Sequence, residues 1–385
     1  MRPRQAQTDL LVVQSTPFCN IDCGYCYLPG RTNRARLSPE VAETVFRRLF
    51  EFPTIEDRIT IVWHAGEPLA LPTAYYDSMF RLIRTLAPAG LRVRHSFQTN
   101  GTLLSPGWCD LIEEWGVNVG VSIDGPRAIH DRHRKMRNGD GSFDRAFRGL
   151  RLLQDRGIPL HVITVLTLES MACPDELFAF YRDAGIGYVC FNIEEQEGAN
   201  RSRLVAAGGA PALYRTFLRR FLDLALRADP TIAVRELEEA LRGIRGGREA
   251  AAAMAARGGN SQVRPFGIVS VDCSGNLSTF SPELLGLRHP GYGAFTFGNL
   301  LHDGFDAIAA RVADSRLFAD VALGAERCRD ECGFFGLCGG GAPSNKIYEA
   351  GTAACTETEY CRTQQAAIEV ALDLIEASPA AMACG

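Results

Sequence analysis

Cys19, Cys23 and Cys26 stand in a C-x3-C-x2-C spacing inside TPFCNIDCGYCYL, with Tyr25 and Tyr27 on either side of the last cysteine. Thiolates packed this closely are metal ligands. A structural zinc wants four protein ligands, and no further Cys or His follows before Arg36. An iron–sulfur cube held by three thiolates leaves one iron open to another molecule, whereas ferredoxins use four cysteines. Zinc and a redox C-x-x-C pair stand as the alternatives.

A second thiol-rich stretch lies near the C-terminal end. ERCRDECGFFGLCGGGAPSNK puts Cys328, Cys332 and Cys338 in a C-x3-C-x5-C spacing, and Cys361 follows in TETEYCR. Four thiolates suit an iron–sulfur cluster or a zinc ion alike. Few core-facing apolar residues accompany them, so metal is expected to stabilise the stretch. Cys109, Cys173 and Cys190 lack partner spacing and read as small buried hydrophobes.

The elements that must position these groups alternate. DLLVVQST reads as a buried strand feeding the first cysteine loop. SPEVAETVFRRLFEF then reads as a helix with Ser38 as N-cap and Pro39 at its first position. Further strands follow at ITIVWHAG, RVRHSFQTNG, VNVGVSIDG, LHVITVLT and YVCFNIEE, with helices between them. Strands alternating with helices of this length argue for parallel βαβ units. Six units are too few for a closed eight-stranded barrel, so the fold class is α/β, a partial (β/α)6 barrel with its site at the strands' C-terminal ends.

Residues 1–235 form that barrel on this reading, 236–263 a Gly/Ala/Arg-rich linker or insertion, and 264–385 a cysteine-rich domain. ALYRTFLRRFLDLALRA, before the linker, reads as an amphipathic helix.

Composition narrows the partners. The 41 Lys and Arg against 45 Asp and Glu give a net charge of −4, with no basic run of the kind that binds nucleic acid. The opening MRPRQAQTDL lacks a signal peptide's apolar stretch, and no run of about 18 apolar residues suits a membrane span. A cytoplasmic location follows as the expectation. There thiols stay reduced, so the 13 cysteines read as metal ligands and core thiols rather than disulfides.

The first cysteine loop, with its aromatic before the third cysteine, resembles the signature loop of the radical SAM enzymes. In that family the open iron binds S-adenosylmethionine (SAM), whose reductive cleavage yields a 5′-deoxyadenosyl radical. HAGEP resembles the family's GGEP motif, with Ala65 in place of the first glycine; the resemblance implies that Gly66 and Glu67 bind the SAM ammonium. FQTNG, SIDGP and IHDRHR resemble the peptide-modifying branch, which implies that Ser122 and Arg134 approach the SAM ribose and carboxylate. Tyr25, Gln98, Asn100 and Asp124 are expected to line the same cavity. N-G and D-G also make ordinary turns, and Arg134 has Asp131 within reach as a surface partner.

The C-terminal stretch resembles the SPASM domain, which holds auxiliary [4Fe-4S] clusters. Phe280 and Ala342 stand where that domain carries cysteines, and Ser281 where formylglycine-forming members carry an Asp base. The resemblance therefore implies one auxiliary cluster, on Cys328, Cys332, Cys338 and Cys361, with Cys273 and Cys355 spare. Taken together the motifs resemble the radical SAM/SPASM maturases that cross-link ribosomal peptides into three-residue cyclophanes, especially the Gly-rich-repeat peptide branch. That implies hydrogen abstraction from a Cβ, attack on an aromatic ring two residues earlier, and loss of an electron and a proton.

Glu194, Glu195, Glu283 and Asp272 are the candidates for the final base. The implied partners are a precursor peptide and a low-potential donor such as a flavodoxin or ferredoxin. Its leader would dock on the barrel, the insertion or the SPASM edge, since no separate domain precedes the first strand. Other peptide cross-links, formylglycine formation and a non-catalytic zinc-binding adaptor remain as alternatives.

Overall fold

The structure is a computed structural model describing residues 7–377. Its centre is six parallel strands in chain order: β1 (Leu10–Val13), β2 (Arg58–Trp63), β3 (Arg92–Thr99), β4 (Asn118–Ser122), β5 (Leu160–Leu166) and β6 (Tyr188–Ile193). In β2, β3 and β5 buried positions alternate with partly exposed ones, so one face of each strand packs against the helices. Between β1 and β2 runs α1 (Pro39–Phe50), capped by the Ser38 side chain, which accepts from Val41 N, and packed through Ala42, Val45, Phe46 and Leu49. The later crossovers carry α2 (Thr73–Leu86), α3 (Pro106–Trp115), α4 (Phe143–Asp155) and α5 (Pro174–Asp183). An aromatic core of Trp63, Tyr76, Phe80, Phe97 and Trp108 locks α2 and α3 onto β2 and β3.

The sheet is larger than the six strands expected. Ala233–Val234 (β7) pairs parallel with β6, and Ile268–Val271 (β8) pairs parallel with the free edge of β1. Asn276–Thr279 (β9) and Gly298–Asn299 (β10) extend it antiparallel, giving ten strands that remain an open sheet. The sheet thus runs without a break across residue 264. These additions are short and local sequence gives no sign that they pair at distant edges.

Residues 236–263, expected as linker or insertion, are mostly helical. Ala210–Arg227 (α6) is the amphipathic helix expected, and Arg235–Ala256 (α7) is a helix interrupted at Gly247, whose φ of 53° breaks the helical path. Ala-rich sequence favours helix even where glycines interrupt it.

The C-terminal part is also more helical and better packed than expected. Arg316–Glu331 (α8), Pro343–Ala350 (α9) and Glu359–Ala377 (α10) bury Leu317, Val321, Ile347, Ala366 and Val370. Arg215 and Arg219 of α6 pair with Glu369 and Asp373 of α10. Metal is therefore not its sole support. Among the described residues no helix is long and apolar enough to cross a membrane.

Candidate functional site

The C-terminal ends of the parallel strands converge on one cavity of about 270 Å³. The cysteine loop, arriving from β1, forms one wall. A short strand at Ile21–Cys23 pairs antiparallel with Arg134–Met136, setting Cys23 opposite Arg134 although 111 positions separate them. The Arg137 guanidinium adds a hydrogen bond of 2.7 Å to Cys19 O. The loop is thereby fixed to the segment following β4.

Cys19, Cys23 and Cys26 are free thiols that feel one another's charge. Burial pushes Cys23 up to about 12 against the pull of Arg134, and Cys19 up to about 11. Such thiols keep their protons until a metal displaces them. No three Cys, His, Asp or Glu side chains among the described residues converge as ligands of a single ion. Three neighbouring thiols on one loop suit an iron–sulfur cluster.

Of the residues expected to bind a cofactor, Tyr25, Gln98, Ser122 and Arg134 line the cavity. Gln98 Nε2 donates to Ser122 Oγ at 2.9 Å, fixing both at its floor. Arg134 is 6% exposed, so it is no surface residue. Its Nε lies 3.0 Å from Asp124 Oδ2, an ion pair rather than an aligned hydrogen bond. Its guanidinium sits 5.4 Å from the Tyr25 ring centroid. Asp131 instead accepts from Phe143 N at 2.8 Å.

Ala65, Gly66, Glu67, Asn100 and Asp124 stand behind the cavity wall. Glu67 is 1% exposed and accepts from Leu69 N (3.0 Å), Thr99 Oγ1 (2.6 Å) and Asn100 N (2.9 Å). Its carboxyl braces the turn after β2 from behind the cavity wall. Gly66, at φ 132°, packs so closely that a Cβ would come 2.1 Å from Thr16 O. Its glycine serves the fit of the cysteine loop. Asn100 Nδ2 donates to Asn20 Oδ1 at 2.9 Å and lies 3.8 Å from Cys19 Sγ.

Asp124 is a hub rather than a lining group. Its carboxylate accepts from the Tyr25 hydroxyl and from Val165 N at 3.0 Å, and its own N–H reaches His130 Nδ1 at 3.3 Å. Ser142 Oγ donates to Arg134 O, so His130 Nε2 must carry the proton it shares with Ser142. Burial pushes His130 down to about 4 and keeps it neutral. His130 is thus a buried structural residue.

The opposite wall is acidic. Glu194, Glu195 and Glu283, the expected bases, line the cavity, joined by Tyr27, His64 and Glu197, which had no role in the sequence reading. The E-E-Q-E pattern after β6 was the available signal for Glu197. Burial, reinforced by the neighbouring Glu283 charge, pushes Glu195 up to about 7. Burial, then Glu195 and Glu283, holds Glu197 well above the carboxylate range; burial raises Glu283 and Glu194 as well. Asn345 Nδ2 donates to Glu195 at 3.0 Å, and the Ser344 hydroxyl to Glu197 at 2.5 Å. Asp272 spends its carboxylate on Ser274 N, Asn276 N and Asn276 Nδ2, within its own hairpin turn.

This acid cluster makes stability pH-dependent. The unfolded chain releases the Glu195 proton near 4.5 and the folded chain near 7, so folded protein is favoured below that window and loses the advantage as pH rises through it. Glu195→Gln should flatten the fall in melting temperature between those two pH values, measured by calorimetry; an unchanged slope would show that Glu195 titrates normally.

The four C-terminal thiols also assemble. Cys361 and Cys338 both feel Cys328 and Cys332, and Gln365 Nε2 lies 3.5 Å from Cys361 Sγ and 3.9 Å from Cys332 Sγ. Cys355 adjoins Cys328. Phe280 (0% exposed) and Ala342 (4%) are buried apolar residues, and Ser281 Oγ is engaged with Gln262 and Ser344 N. Cys109 and Cys190 are buried as expected, whereas Cys173 is only half-buried, at the start of α5.

Comparison with known proteins agrees with this geometry. Residues 13–181 match the model of the Radical SAM superfamily. The chain is 42% identical over 377 residues to an uncharacterized protein, sll1766, of Synechocystis, covering 96% of this chain and 93% of that one. It is 32% identical over 185 residues to the serine-type anaerobic sulfatase-maturating enzyme of Klebsiella aerogenes, a match spanning 48% of this chain and 46% of the relative. Among solved structures, native anSMEcpe with bound AdoMet and Kp18Cys peptide superposes with a TM-score of 0.75 at 19% identity, covering 97% of this chain and 99% of that one. SuiB of Streptococcus suis bound to the precursor peptide SuiA gives 0.60 at 14% identity, covering 92% and 76%. At such identities the likeness is one of fold.

Proposed function

We propose that this chain, whose residues 13–181 match the model of the Radical SAM superfamily, modifies a ribosomally made precursor peptide, joining an aromatic ring carbon to the Cβ of a residue two positions later. The carrying observation is the single cavity in which the cysteine loop, the Gln98–Ser122 pair, Arg134 and the Glu195–Glu197–Glu283 cluster face one another. Cys19, Cys23 and Cys26 would hold a [4Fe-4S] cluster, and Cys328, Cys332, Cys338 and Cys361 an auxiliary one. When bound, the first cluster and SAM supply a 5′-deoxyadenosyl radical that abstracts the hydrogen.

The residues of this chain do the rest. Gln98, Ser122 and Arg134 offer polar contacts to a ribose and a carboxylate on the cavity floor. Ile163, Val165 and Ile193 wall off water. Closure on the ring needs a base for the aromatic proton, and carboxyls whose burial raises them towards neutrality accept one at working pH. Glu195 is held in place for that by Asn345, while Glu197, held by Ser344, keeps its own proton beside it. A precursor peptide as partner accords with the peptides bound in the anSMEcpe and SuiB structures. A flavodoxin or ferredoxin would supply the reducing electron.

Formylglycine formation is the second reading, favoured by the sulfatase-maturating relatives. Ser281 offers no carboxyl, yet Ser344 touches both Ser281 and Glu197, so an acid stands one residue away. Co-expression with a short peptide rich in aromatic triplets decides between them. A cross-link loses two hydrogens, fragments as a ring and gives no hydrazide adduct. An aldehyde that reacts with hydrazide, or an unchanged mass, would sink the cross-linking proposal.

A further inference from the structure

Three consecutive residues on α9 reach three different chemical groups. Ser344 holds Glu197, Asn345 holds Glu195, and Lys346 turns the other way, its Nζ 3.5 Å from Cys328 Sγ. Lys346 is one of two lysines among 41 cationic residues, and it is 3% exposed. Among the described residues it forms no ion pair with a carboxylate; the thiol is its polar partner. An unpaired buried ammonium is expensive, and a metal-ligating thiolate is the anion that would offset it. Cys328, joined by the thiol of Cys355, stands in that place.

The packing makes room for this contact. Gly324 lies one turn before Cys328 on α8, where a Cβ would come 3.2 Å from Lys346 Nζ and 2.2 Å from Ala353 O. Gly324 leaves α8 open where a side chain would crowd the ammonium.

We propose that Lys346 is a positioning residue that raises the reduction potential of the C-terminal metal site through a charge-assisted hydrogen bond to Cys328. This rests on the reading of Cys328, Cys332, Cys338 and Cys361 as ligands of an iron–sulfur cluster. An ammonium against a ligating thiolate stabilises the reduced, more negative state over the oxidised one. Rearomatisation of the substrate ring releases one electron and one proton; a cluster held by Cys328, Cys332, Cys338 and Cys361 would take up the electron, and Glu195 stands in the cavity to take the proton. Adjacent positions on α9 thereby reach the groups that would accept both.

The test is a spectroelectrochemical titration of anaerobically reconstituted protein, comparing Lys346→Met and Lys346→Gln with Lys346→Arg. Loss of charge should shift the reduction equilibrium of the C-terminal cluster at least tenfold towards the oxidised form, a fall of about 59 mV for one electron. Lys346→Arg should stay near the parent value, and the cluster on Cys19, Cys23 and Cys26 should be unaffected in all three. Equal potentials in charged and neutral variants overturn the proposal. So does loss of the cluster from both neutral variants with retention in Lys346→Arg, which would make Lys346 a structural prop. Absence of iron from the C-terminal site of the parent protein would instead overturn the cluster reading on which the proposal stands.

Discussion

Cys23→Ala is expected to abolish formation of 5′-deoxyadenosine and of any modified peptide, while leaving the fold intact. The thiol is one of only three ligands for its cluster on the proposed reading, so no redundancy remains. Its replacement removes a buried, protonated group with a small side chain, and the pairing of Ile21–Cys23 with Arg134–Met136 is made by backbone atoms that alanine keeps. Iron per chain should fall from roughly eight to about four. Cys328→Ala provides the contrast. It should also lose about four irons, yet still cleave SAM when reduced, because Cys328 lies outside the cavity where Cys23 and Cys26 sit. Product would disappear in both and deoxyadenosine in one alone. If Cys23→Ala still made deoxyadenosine, the loop would not hold the cluster that splits the cofactor.

The central strands were legible because their signals are local: β-branched runs ending in polar or glycine residues, separated by helices of regular period. Helices α3 and α5 begin at Pro106 and Pro174, where the chain announces its own start. Harder to read were elements defined by distant partners. Ile268–Val271 looks like half of a hairpin, and nothing within it says that its other edge pairs with Leu10–Val13. The same limit applies to the site. Cys19, Cys23 and Cys26 declare themselves by spacing, and Arg134 by a motif. Motif matching cannot show that the Asp124 carboxylate is spent on Tyr25, Arg134 and Val165 N, or that Glu67 accepts from Leu69 N, Thr99 and Asn100 N. Glu197, Ser344 and Asn345 meet only through a contact spanning about 150 positions, which spacing within a segment cannot register.

Asp124→Ala is expected to destabilise the protein by about 3–5 kcal/mol, the usual effect of stripping one partner from a buried ion pair. The side chains of Arg134 and Asp124 are only 7% and 2% exposed, so water does not replace the missing charge. Tyr25 and Val165 N would lose their acceptor at the same stroke. Because Arg134 stands opposite Cys23, the disturbance should also reach the cysteine loop and lower its iron content. Arg134→Met leaves the opposite charge buried, with the Tyr25 hydroxyl and Val165 N still to solvate it, so its loss should be smaller. The double variant, which removes both charges, should recover most of the loss seen for Asp124→Ala, since an apolar pair often matches a buried ionic one. Denaturant titrations of the four proteins give the coupling energy directly. Additive losses would mean that Asp124 and Arg134 act independently, and the account of Arg134 as a cation held in place for a ligand carboxylate would fail with them.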